Sequence, residues 1–161
     1  MTASRRELVA GAAVAALALA PSAADAASAD AEAVVRLLTL ERRLEAAYRG
    51  ALARDAIDPA LGRRLLGHER DHVRGLEQAL RDLGRPGLRP TAPGPTEGID
   101  FDGRRAFATS ALQLERQTVD AYRDVLTGFG DDHLLQPLGS IMACGAQHEV
   151  ALREVLGAPL L

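Results

Sequence analysis

Leu65-Leu66-Gly67-His68-Glu69-Arg70-Asp71-His72-Val73-Arg74-Gly75-Leu76-Glu77-Gln78-Ala79-Leu80 is the stretch that decides the fold. Leu65, Leu66, Val73, Leu76 and Leu80 recur at helical spacing and mark one apolar stripe. Glu69 and His72 are three apart and fall on that stripe. A carboxylate and an imidazole facing a core need a partner, because an unpaired buried charge is expensive. A metal held between helices is one such partner.

Composition points the same way. Hydrophobic residues make up 47% of the chain but aromatics only 3%, so the core is Leu, Ala and Val. That suits close-packed helices better than a β-sandwich, whose strands draw on β-branched and aromatic residues. The 19 basic residues are all arginine and are interleaved with 22 acids. No basic patch argues for nucleic acid. One cysteine excludes an internal disulfide.

Working outward, Asp58-Pro59 opens the helix that carries the stripe, with Asp as cap and Pro at the first helical position, and Gly84 closes it. Before it, Val34, Leu37, Leu38, Leu44, Tyr48 and Leu52 predict a helix from Ala31 to about Asp55, with Asp30 as cap. Arg85 to Gly98, with Pro86, Pro90, Pro93 and Pro95, reads as a linker. A third helix is expected from Asp102 or Gly103 to Thr127. A fourth runs from Asp131 or Asp132 to Leu156, with Pro137 near its first turn and Gly157 and Pro159 as stops. A helix of about 25 residues is roughly 38 Å long. A linker of about 18 residues can stretch to roughly 60 Å, enough to cross a bundle and make helices 2 and 3 parallel.

The front end reads as an export signal. Ser4-Arg5-Arg6-Glu7-Leu8 precedes an apolar run from Val9 to Ala20, followed by Pro21 and two small-x-small sites, Ala24-Asp25-Ala26 and Ala27-Ser28-Ala29. The run falls short of the roughly 20 residues that a spanning helix needs. The paired arginines resemble a twin-arginine export signal. Residues 1–29 are therefore expected to be a signal peptide, cleaved near 26 or 29. Residues 30–161 would be the exported domain, outside the cytoplasmic membrane and without a span of its own.

Leu40-Glu41-Arg42 in helix 1 is echoed by Leu114-Glu115-Arg116 in helix 3, and each Glu is followed seven residues later by a tyrosine, Tyr48 or Tyr122. The chain thus reads as two helix hairpins joined by a crossover. Glu41 shares a face with Leu37, Leu38, Leu44 and Tyr48, and Glu115 with Ala111, Leu112, Val119 and Tyr122. His148 shares one with Ile141, Cys144, Ala151 and Leu152.

On these residues the chain, from about 31 to 157, resembles the ferritin-like superfamily and its exported bacterial branch. The resemblance implies an all-α four-helix bundle with one long crossover. It also implies two metals, iron or manganese, held by one Glu from each of helices 1 and 3 and a Glu-x-x-His from each of helices 2 and 4. Carried over, Glu41, Glu69, His72, Glu115 and His148 are the metal ligands, with Tyr48 and Tyr122 as donors to the carboxylates. The chain departs from the pattern at Gly145, where the helix 4 Glu belongs. Glu149 lies about 100° around the helix from His148 and is a poor substitute. The resemblance then implies an asymmetric or mononuclear site, with its second position weakened and with water or an outside carboxylate filling the gap.

Two functions are compatible with this pattern: a metal-binding protein with redox or iron-handling chemistry, enzymatic or not, and a metal-free structural or binding module. A third follows from His68-Glu69-Arg70-Asp71-His72, which is a literal His-Glu-x-x-His, the zinc metalloprotease spacing. The missing strands, and Gln78 where a longer version of that motif has a third histidine, weigh against it. In the bundle His68 would sit on the flank of the site or stand behind one of its ligands. A homo-oligomer is compatible with the sequence.

Overall fold

The computed structural model describes residues 22–90 and 96–159, which form four helices. They are α1 (Ala23–Leu52), α2 (Pro59–Asp82), α3 (Arg104–Leu126) and α4 (Asp132–Leu156). No strand occurs among the described residues, so the all-α expectation holds. The charged start and the apolar run of the expected export signal lie outside the described residues, as does the middle of the crossover at 91–95.

Local chemistry accounts for the helix ends. Asp58 accepts from the backbone N–H groups of Ala60 and Leu61, both at 3.0 Å, and Pro59 follows it. Asp131 accepts from the N–H of His133 at 2.9 Å and starts α4. Gly157, with φ of 65°, closes α4 in a left-handed conformation that costs a glycine little. Helix α1 corrects the sequence reading. It begins at Ala23 rather than Ala31, because the Ala-rich segment is a strong helix former and Ser22 and Asp25 cap each other reciprocally. Both candidate cleavage sites therefore lie within α1. Asp30 is not a cap either: it is buried within the helix and accepts from the N–H of Gly130 at 3.0 Å, tying α1 to the α3–α4 loop.

Packing gives the topology. Helix α1 lies against α2 and α3, and α4 against α3 and α2. Two apolar clusters fill the two ends of the bundle. One joins Leu44, Tyr48 and Ile57 to Leu65, Phe107 and Leu152. The other joins Val34 and Leu38 to Leu76, Leu80, Tyr122 and Leu138. The start of α2 and the start of α3 thus share one end, and their later turns share the other. The two helices run parallel, as the long crossover requires. Phe107 is fully buried and meets the Tyr48 ring edge-on at 5.8 Å. Its truncation to Ala would cost about 3–5 kcal/mol. The crossover is pinned where Arg43 donates to the carbonyl of Glu97 at 2.7 Å, and where Arg54 covers the Phe101 ring at 4.7 Å. No described helix is long and apolar enough to cross a membrane.

Candidate metal centre

Between the two apolar clusters lies a layer of buried polar side chains. Helix α1 contributes Glu41, α2 Glu69 and His72, α3 Glu115 and α4 His148. None of the five is more than 7% exposed. Their periodicity places them there: each lies on the apolar stripe of its helix, so packing that stripe drives the polar groups inward together.

The five form two linked triads around Glu69. The Nδ1 of His72 lies 3.2 Å from Glu41 Oε2 and 3.5 Å from Glu69 Oε2. The Nδ1 of His148 lies 3.0 Å from Glu69 Oε1 and 3.1 Å from Glu115 Oε1. Within Glu41–Glu69–His72, and again within Glu69–Glu115–His148, one donor atom per residue lies within 4.8 Å of the others. Glu69 is the hub, and both of its oxygens are fully buried without a well-aligned hydrogen bond. Buried carboxylate oxygens are rarely left this way, and cations are what stand around them here. This donor set, oxygen-rich with one imidazole per triad, fits a divalent metal ion.

Protonation in the metal-free chain follows from the same contacts. Burial alone would lower the pKa of His72, but its contacts with Glu41 and Glu69 outweigh this and push it to about 11. Burial likewise opposes charge on His148, and Glu115 and Glu69 push it to about 10. Burial raises Glu41 to about 8, against the pull of His72. Burial also raises Glu115, whereas the two imidazoles hold Glu69 below its ordinary value despite its burial. Each imidazole thus lies against two carboxylates of the layer.

A model of the ferritin-like domain matches residues 29–158. The chain belongs to the ferritin-like family. No curated protein and no solved structure matches it.

The two tyrosines of the ferritin-like repeat are crossed. Tyr48 donates to Glu115 Oε1 at 2.5 Å, on the other hairpin, rather than to Glu41 on its own helix. Tyr122 is buried with its hydroxyl unpartnered, and after burial the charge of Glu41 is what holds its pKa well above the usual range. Each tyrosine therefore faces the carboxylate of the opposite hairpin, and only one of the two hydrogen bonds closes.

At Gly145 the structure changes the sequence reading. The residue is buried, and a Cβ there would lie 3.1 Å from Val119 Cγ2 and 3.7 Å from Glu115 Oε2. The backbone of α4 packs closely against α3 at this glycine. Val119 thus crowds the place of a side chain's first carbon at this position.

His68 stands behind a candidate ligand: its Nδ1 lies 2.9 Å from His148 Nε2. Cys144 Sγ lies 3.5 Å from that same nitrogen. The signal for His68 was its offset of about 100° from Glu69, which aims it toward α4 once the bundle closes. The zinc-protease spacing is not assembled as such. His68 turns to His148 and His72 to Glu41, and the two histidines share none of the candidate metal groups among the described residues.

Proposed function

We propose that this ferritin-like protein binds iron or manganese in the buried layer. Glu41, Glu69 and His72 would hold the stronger position, and Glu69, Glu115 and His148 a weaker one. The observation that carries this is Glu69, which has both oxygens buried, lacks an aligned donor and lies between two imidazoles. The asymmetry rests on Gly145, which supplies no carboxylate to the second triad. When bound, such a metal supplies one-electron chemistry toward oxygen or peroxide. The chain's own part is to fix the donors and exclude water. Tyr48 holds Glu115 in one orientation, the two apolar clusters seal the layer from both ends, and His72 and His148 release protons as metal enters. Ser4-Arg5-Arg6 and the apolar run after it support export, which would put this chemistry outside the cytoplasmic membrane. A reporter fused to residues 1–29 should be exported and lose export when Arg5 and Arg6 are both changed to Lys.

A metal-free role is the second reading. The observation in its favour is that each imidazole lies within 3.0 to 3.5 Å of two carboxylates, so the layer holds counter-charges of its own. Elemental analysis of the purified chain after exposure to Fe²⁺ or Mn²⁺ separates the two readings. The first requires at least one metal per chain, lost in Glu69→Ala. No bound metal from either ion leaves the second.

A further inference from the structure

We propose that His68, Cys144 and His148 form a second metal site, for a borderline or soft cation of the zinc class, at the edge of the bundle beside the carboxylate layer. The donors come from α2 and α4. Cys144 Sγ lies 3.6 Å from His68 Nδ1 and 3.5 Å from His148 Nε2, and the two nitrogens are 2.9 Å apart. A tetrahedral zinc with bonds of about 2.05 Å to nitrogen and about 2.3 Å to sulfur puts N···S near about 3.6 Å and N···N near about 3.3 Å. The sulfur is already at its place. The nitrogens must part by about 0.4 Å and turn their lone pairs to a common point.

That adjustment falls on His68. The two rings lie 5.2 Å apart at 11°, which with a 2.9 Å N···N contact describes an in-plane hydrogen bond rather than face-to-face stacking. His148 is 2% exposed and held from behind, whereas His68 is partly exposed and can swing. A pocket of about 310 Å³, lined by Arg64, Leu65, His68, Gln147, His148 and Ala151, opens beside them. Three protein donors with a fourth position facing solvent is the arrangement of an open zinc site.

The back of His148 supports the same assignment. Its Nδ1 lies 3.0 Å from Glu69 and 3.1 Å from Glu115. An Nδ1–H held by carboxylates leaves Nε2 as the ligating atom, the carboxylate–histidine–metal arrangement that orients zinc-bound imidazoles. On binding, one bond forms to Sγ and one to each ring nitrogen. The thiol proton and the proton between the rings go to solvent. A thiolate with two imidazoles selects zinc over manganese or magnesium. The site needs neither Glu41 nor His72, so it does not depend on a metal being held by Glu41, Glu69 and His72. His148 is common to both, and a hard metal at Nδ1 competes with its role here.

The test is a Co²⁺ titration of the full chain, reduced, metal-free and under argon. One equivalent should produce a thiolate-to-cobalt charge-transfer band in the near ultraviolet, and one equivalent of Zn²⁺ should bleach it. Cys144→Ser should abolish the band. His68→Ala, a change at a partly exposed side chain, should weaken Co²⁺ binding by at least about tenfold, with its circular dichroism unchanged. Glu41→Gln should leave the band intact. Mn²⁺ binding, measured in parallel, reports the carboxylate centre alone, so failure of one site is visible without the other. No band in the natural chain, or a band of the same midpoint in His68→Ala, overturns the site.

Discussion

Gly145→Ala puts the close packing of α3 against α4 to a numerical test. In an unobstructed helix this change stabilises by about 1 kcal/mol, because alanine is the better helix former. Here the new Cβ would sit 3.1 Å from Val119 Cγ2, about half an ångström inside ordinary carbon–carbon contact. Val119 is buried, and as a β-branched helical residue it has one strongly preferred rotamer, so it cannot turn aside. Overpacking of this kind costs about 1–3 kcal/mol. The net expectation is a loss of about 1 kcal/mol, or about 4 °C in Tm for a domain of this size. In a Val119→Ala background the obstruction is gone and the same change should gain about 1 kcal/mol. Urea denaturation of the four proteins of this cycle, with chelator present, should give a coupling of about 2 kcal/mol and a change of sign. If Gly145→Ala stabilises the natural chain by the full helix-propensity gain, the crowding argument is refuted. The same reasoning predicts that Gly145→Glu alone will not restore a second strong metal position, whereas Gly145→Glu with Val119→Ala will raise the metal count per chain.

Tyr48→Phe removes the donor to Glu115 and should cost about 1.5–3 kcal/mol, while Tyr122→Phe, whose hydroxyl is unpartnered, should be neutral or stabilising in thermal melts of the metal-free chain. The metal-free fold should lose stability as pH rises. The raised His72 and His148 contribute fully below about 6.5 and progressively less as pH climbs through about 10 to 11. Glu41, raised to about 8, acts in the same direction between its ordinary value and that pH, whereas the lowered Glu69 opposes only on the acid side. Tm measured from pH 6 to 9 in chelator should therefore fall, and Mn²⁺ affinity should rise over the same range as metal displaces protons; a flat or rising Tm contradicts this. Asp30→Ala leaves the Gly130 N–H without its acceptor and should cost about 1–2 kcal/mol in urea denaturation.

Much of the fold was legible because the determining signals are local. Asp58-Pro59, Asp131 and Gly157 mark helix ends through their own backbone chemistry, and the apolar stripes put Glu41, Glu69, His72, Glu115 and His148 on inward faces. The structure brings all five together. The start of α1 was missed because an alanine-rich run has no periodicity, and its small residues also read as a cleavage site. The crossed tyrosines were hidden because spacing along a helix gives a face but not the neighbour across it. Which ligand His68 meets was hidden for the same reason, since only the contact of α2 with α4 shows it. The crowding of Gly145 by Val119 left no trace in the sequence, because an absent side chain looks the same whether the space beside it is open or filled.

Anomalous diffraction from crystals of the chain soaked in Mn²⁺ tests the central claim most directly. The account predicts one strong peak among Glu41, Glu69 and His72, and a weaker one or none among Glu69, Glu115 and His148. Peaks only at the protein surface, with the layer still held by the two histidines, would contradict it.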